Sequence, residues 1–191
     1  MGNFYVNIAV KADGDRVREL LRSLQRQAFM ACSDRIVVVV DREADTQNLD
    51  IIASLALTLS NCLAAPALAC LNHDDDALLL GLYEKGALVQ EYMWGDPLSL
   101  KNRLSAGRRR FAGHVRRAFG TTRNTSFRPP EIPLPGFLKK LAPLFMRAVF
   151  AVRVHQALMA ETGLPSVCAG AGFSYVSRGH FQDREPSFVR V

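Results

Sequence analysis

Residues 4–10 alternate Phe4, Val6, Ile8 and Val10 with Tyr5, Asn7 and Ala9, a period of two that predicts a half-buried β-strand. Asp13-Gly14-Asp15 supplies a turn and an N-cap for a helix, since Val17, Leu20, Leu21 and Leu24 recur at helical spacing with Arg16, Arg18, Arg22 and Arg26 on other faces. Residues 28–32 and 36–41 read as two strands joined through Ser33-Asp34-Arg35. The run Ile36-Val37-Val38-Val39-Val40 is apolar on both faces, which predicts a central strand. Asp45 is placed to cap a second helix carrying Leu49, Ile52, Ala56, Leu59 and Leu63, and Pro66 stops it. Three strands follow as a meander over 67–71, 77–83 and 87–94. Asn72-His73-Asp74-Asp75-Asp76 forms the first connection and Glu84-Lys85-Gly86 the second, with Gly86 suited to the left-handed turn position.

Asp96-Pro97 is a helix start, the Asp as cap and the Pro in the first turn. Leu100, Leu104, Phe111, Val115 and Ala118 share one narrow stripe, and Gly120 stops the helix. Residues 121–136 carry Pro129, Pro130, Pro133 and Pro135-Gly136 and read as a linker. Pro143 opens a further helix with Leu144, Ala148, Val152, His155 and Met159 on its face, ended by Gly163-Leu164-Pro165. Residues 167–168 and 173–176 read as short strands around Gly170 and Gly172. The pattern therefore predicts an α+β fold: a mainly antiparallel sheet with two helices on one face, followed by a basic helical C-terminal subdomain. Three segments result. They are an acidic sheet domain over 1–96, a basic helix and Pro-rich linker over 97–136, and a helix with short C-terminal strands over 137–191.

Charge sharpens this division. Residues 1–97 carry 8 Lys/Arg and 14 Asp/Glu, whereas residues 98–191 carry 16 and 4. Thirteen of the basic groups fall between Leu98 and Arg153, against Glu131 alone. Such a block attracts anions. A basic helix face often simply faces water, but with no acidic partner at i±4 Arg103, Arg108, Arg109, Arg110, Arg116 and Arg117 are locally uncompensated and are the candidate partner-binding residues. Phe111 and Phe119 fall on the apolar side of that helix and read as packing groups.

Apolar content of 49% with 22% charged residues is that of a globular chain, not a disordered one. The longest apolar stretch, 51–70, is interrupted by Thr58, Ser60, Asn61 and Pro66, so it reads as a buried helix and no membrane span is expected. The N-terminus enters a strand pattern at once, which argues against a secretory signal and for a cytoplasmic setting. Position 6 is Val where a myristoylation motif requires Ser or Thr. Cys32, Cys62, Cys70 and Cys168 lack metal-ligand spacing and read as four buried thiols in a reducing compartment, without a disulfide.

The Met1-Gly2-Asn3-Phe4-Tyr5 opening and the Asn72-His73-Asp74-Asp75-Asp76 hairpin resemble those of a family of uncharacterised bacterial proteins of about 180–190 residues. The Leu82-Tyr83…Gly86…Glu91-Tyr92 hairpin, Ala118-Phe119-Gly120, and His155 followed by Gly163-Leu164-Pro165 are similar to that family as well. The resemblance implies no particular activity and assigns no catalytic residue.

Candidate chemistry is sparse. His73, Asp74 and Asp76 are the concentrated hard-metal donors, but neighbouring carboxylates on an extended chain diverge and the spacing is not that of a calcium loop. Turn chemistry accounts for them better. His155 lies on an apolar stripe and reads as a core histidine with a hydrogen-bond partner. Gly170-Ala171-Gly172-Phe173 resembles a fragment of a phosphate loop in the wrong context. No cofactor is expected. The reading that follows is a non-catalytic bacterial interaction protein, of immunity, adaptor or regulatory type, whose basic helix binds an acidic protein partner. The alternatives are nucleic-acid binding by the same helix and, third, an enzyme around His73 or His155. Self-association of the acidic half with a neighbour's basic half would mimic either form of binding.

Overall fold

The computed structural model describes residues 3–95, 104–124, 151–182 and 186–191. The first half alternates strands and helices: β1 (Tyr5–Lys11), α1 (Gly14–Ser23), β2 (Ala28–Ser33), β3 (Ile36–Asp41), α2 (Leu49–Cys62), β4 (Ala67–His73), β5 (Ala77–Glu84) and β6 (Ala87–Trp94). The second half contributes α3 (Leu104–Phe119), α4 (Ala151–Thr162), α5 (Phe173–Ser177) and a short β7 (Val189–Arg190). The class is α+β. The seven strands form one antiparallel sheet in the order β6-β5-β4-β1-β3-β2-β7.

The central position of β1 has a consequence that local alternation could not reveal. Val6, Ile8 and Val10 pack in one cluster with Val17 and Leu21 of α1 and Ile52, Leu55, Ala56 and Leu59 of α2. Tyr5 and Ala9, on the alternate positions, pack in a second cluster with Phe111, Ala112, Val115 and Phe119 of α3 and Ala151, Leu158 and Met159 of α4. β1 is thus buried on both sides, not half-buried, and Asn7 is only 2% exposed. The expected central strand at 36–40 is central, with β3 hydrogen-bonded between β1 and β2.

Local signals account for most boundaries. Asp13 caps α1, accepting from the backbone N–H groups of Asp15 and Arg16 at 3.0 and 3.3 Å. The β4–β5 connection places Asp74 and Asp75 at φ of 51° and 58°, and the Asp76 N–H bonds the His73 carbonyl at 2.9 Å. Two successive left-handed residues are what a tight hairpin demands, and Asp tolerates that region. Lys85 and Gly86 repeat the arrangement between β5 and β6.

Three expectations are corrected. Asp45 does not cap α2; Asn48 does, accepting from the Asp50 N–H at 2.9 Å. The Asp45 carboxylate instead accepts from the N–H groups of Phe173 and Ser174 at 3.1 and 3.0 Å, 128 and 129 positions away. The strands expected at 167–168 and 173–176 are a 3-10 turn, Ser166–Cys168, and the helix α5, where Asp45 supplies the N-terminal cap that Gly172 at the cap position lacks. Of the four thiols expected to be buried, Cys70 and Cys168 are, while Cys32 and Cys62 are exposed. Cys62 is the last residue of α2 and Cys32 lies on β2 near the covered edge, so apolar sequence neighbours did not imply a covered side chain.

No described helix is long and apolar enough to cross a membrane. The expected helix start at Asp96-Pro97 with Leu100, the candidate Arg103, the linker beyond 124, and the helix start at Pro143 with Leu144 and Ala148 lie outside the described residues, as does the side chain of Leu104.

Candidate functional site

The arginines of α3 divide into two groups. Phe111, Ala112, Val115 and Phe119 turn one face of the helix into the core, and the Phe111 ring meets Tyr92 of β6 at a centroid distance of 5.6 Å. Arg108 flanks that face and bonds Glu161 of α4 at 2.8 Å. Arg116, two turns on, donates to the Glu161 backbone carbonyl at 2.9 Å. Both therefore fasten α3 to α4. The expectation that these charges are uncompensated is corrected for Arg108: its compensating acid is 53 positions away, beyond the reach of i±4 spacing, while Arg116 is held by a backbone carbonyl.

Arg109, Arg110 and Arg117 are exposed and form no ion pair among the described residues. They present three guanidinium groups on the outward side of a helix fixed by its opposite face. Arg117 also lies in the last turn, where the helix dipole favours a cation. Among the described candidates, this trio is the part of the predicted basic surface that the fold leaves free to meet an anion.

His155 and its surroundings form a different arrangement. The ring is fully buried, and Nδ1 lies 2.9 Å from the Tyr5 hydroxyl and 3.4 Å from Cys70 Sγ. Asn7 donates from Nδ2 to the carbonyls of Cys168 and Ala171 at 2.8 and 2.7 Å. Burial drives the His155 pKa down to about 3 and the Cys168 thiol up to about 12, and it raises Cys70 and Tyr5. A reactive thiolate–imidazolium pair needs the opposite shifts and an approach route. This Cys–His contact is therefore a neutral packing and hydrogen-bonding arrangement, and His155 is the core histidine with a partner that its stripe predicted. Sequence reasoning missed its companions Tyr5, Asn7, Cys70 and Cys168. The available signal was a polar residue, Asn7, inside an otherwise apolar central strand.

His73 is exposed on the other side of the hairpin, its Nδ1 2.6 Å from Gln47 Oε1 and its ring edge-on to Phe4. Asp75 turns inward and accepts from the Asn3 backbone and side chain and from Asn72 Nδ2 at 3.1, 2.8 and 3.2 Å. Among the described residues no group of three or more His, Cys, Asp and Glu is arranged to hold a metal ion, so His73, Asp74 and Asp76 are not brought together as ligands. At Gly172-Phe173, where a phosphate loop fragment was visible, the Asp45 carboxylate already occupies the amide groups.

No family model matches this chain, and neither a curated protein nor a solved structure matches it.

Proposed function

We propose that this chain is a non-catalytic interaction protein, bacterial and cytoplasmic, that engages an acidic protein surface through the outward face of α3. The observation that carries the reading is the separation of the arginines. Arg108 and Arg116 are used internally, while Arg109, Arg110 and Arg117 are exposed and lack ion pairs among the described residues. Guanidinium groups are suited to bidentate recognition of carboxylates. A rigid helix also presents them with little further loss of backbone freedom. The buried, charge-suppressed His155–Cys70 contact supports a structural rather than a chemical use of the interior.

The test is a salt-titrated binding measurement on the full chain with polyglutamate and, in parallel, with duplex DNA. R109Q/R110Q/R117Q should keep its thermal midpoint and lose polyglutamate binding at least tenfold. Sedimentation at the same concentrations separates binding from self-association. Unchanged binding by the triple variant, or tighter binding of DNA than of polyglutamate at equal salt, would overturn the proposal in favour of another surface or of nucleic acid.

A further inference from the structure

A cleft of about 460 Å³ opens between the β2–β3 turn, the chain that follows α3, and the last turns of α4. Its size suits a small organic ligand, for which sites run from roughly 300 to 1,000 Å³. Asp34, Gln156, Ser166, Ile36, Met159 and Leu164 give it its character. We infer that this cleft binds a small organic cation, an ammonium or guanidinium group on a short hydrocarbon stem.

Among the described residues, Asp34 is the only ionisable one lining it. It is exposed, and its carboxylate has no hydrogen bond or ion pair among the described residues, although Arg35 adjoins it. Gln156 and Ser166 add polar side chains without partners among those residues. Two of the described helices, α3 and α4, also end here. Thr121 and Asn124 follow the end of α3, and Gly163 follows the end of α4; all three line the cleft. The last carbonyls of α4 are already satisfied by internal donors, that of Glu161 by Arg116 at 2.9 Å, so Asp34 carries the negative charge of the described lining. Asn124 N–H on the Ala160 carbonyl at 2.9 Å and the Thr121 hydroxyl on the Thr162 carbonyl hold these ends together. Met159 and Leu164 are only 2% and 6% exposed and, with Ile36, form an apolar wall for the stem. A carboxylate-bearing ligand would face the like charge of Asp34. Asp34 thus gives the described lining a negative side chain in a chain of net charge +6, and the site makes no use of the three exposed arginines on α3.

The experiment follows backbone amide chemical shifts of the full chain during titration with n-pentylamine, agmatine and pentanoate. The two cations should move Asp34, Gln156 and Ala169, whereas pentanoate should not. D34N keeps the left-handed turn, since Asn also tolerates φ near 51°, and it should weaken the cations by about tenfold, the size of one lost charge-assisted contact. A Gly-Lys-Gly peptide distinguishes the source. Tighter binding than n-pentylamine identifies the cation as a partner's side chain, and weaker binding identifies it as a free amine. Either result retains the cation site. Equal affinity for pentanoate, unchanged cation affinity in a folded D34N, or no shift at these residues with any cation would overturn the inference.

Discussion

The Tyr5 hydroxyl lies 2.9 Å from His155 Nδ1, joining the first strand to α4 across 150 positions with both side chains fully buried. Their rings also stack, at 5.8 Å and 12°. On the other side of the ring, Nε2 is buried with no partner among the described residues. The imidazole is therefore held neutral. Protonating it would place an uncompensated charge in the core between sheet and helices.

This arrangement has a pH signature. The folded pKa of about 3 lies below the ordinary 6.5, so the unfolded chain binds more protons than the folded one between those values. The stability it contributes is complete above pH 6.5 and is lost as pH falls toward 3, at about 1.4 kcal/mol per pH unit within the window. Urea midpoints of the wild type and H155Q should diverge in slope between pH 7 and 4, with the variant flatter. Parallel curves would show that His155 is not buried in the neutral form. Y5F, which removes the oxygen from Nδ1, should cost about 1–3 kcal/mol at pH 7.

The two groups of arginines on α3 should separate in stability as well as in binding. Arg108 is 34% exposed at its side chain and Glu161 18%, so solvent screens the pair substantially. R108Q should lower stability by about 1 kcal/mol, the upper end for partly exposed pairs. R109Q and R110Q should stay within about 0.5 kcal/mol of wild type, as for surface positions without partners. Denaturant unfolding of the three single variants checks the order; an R109Q as damaging as R108Q would mean the outward face is engaged internally.

Asp45 holds α5 from the far end of the chain. Its carboxylate accepts from Phe173 N–H, Ser174 N–H and the Ser174 hydroxyl at 3.1, 3.0 and 2.5 Å. D45A should cost about 0.5–2 kcal/mol, the usual value of an N-cap. Hydrogen exchange should speed up at residues 173–177 before it does so in β1 or β3. Exchange that rises uniformly would place α5 in the same cooperative unit as the sheet.

Much of this fold could be read locally, and the reason is physical. The alternation in 4–10, the all-apolar 36–40 run and the turns at Asp74-Asp75 and Lys85-Gly86 involve near neighbours, so spacing and backbone preference are enough to reveal them. What escaped depends on distant partners. Asn7 looked solvent-facing because the carbonyls of Cys168 and Ala171 that it bonds follow 161 and 164 positions later. Asp45 looked like a cap for the next helix because the helix it does cap begins 128 positions on. Arg108 looked uncompensated because Glu161 reaches it only through the packing of α3 on α4. The exposed trio Arg109, Arg110 and Arg117 was visible as part of a basic run. Only the buried face of α3 separates it from Arg108 and Arg116.

Thiol reactivity tests how the two faces are covered. Cys32 and Cys62 are exposed, whereas Cys70 and Cys168 are each 1% exposed with their thiols held protonated by burial. An aromatic disulfide reagent at neutral pH should titrate two thiols quickly and the other two only as the chain unfolds. Four fast thiols would mean that α3 and α4 leave the sheet readily; fewer than four under denaturing, non-reducing conditions would reveal a disulfide.

Two glycines in the helical half should respond in opposite directions to the same substitution. Gly163 follows α4 at φ of +71°, and a Cβ there would fall 2.0 Å from the Thr122 carbonyl oxygen. The left-handed conformation alone disfavours a side chain by about 1–2 kcal/mol. The contact adds to this because the obstructing atom is backbone, so G163A must also push the ends of α3 and α4 apart. Gly107 lies inside α3, and a Cβ there would meet nothing within 4 Å. G107A should therefore stabilise the chain by about 0.5–1 kcal/mol through helix propensity and the reduced freedom of the unfolded chain. Thermal unfolding of the two variants should bracket the wild type, with G163A well below it and G107A slightly above. If G163A unfolds with the wild type, the ends of α3 and α4 are not in contact, and the cleft beside Asp34 is not built as described.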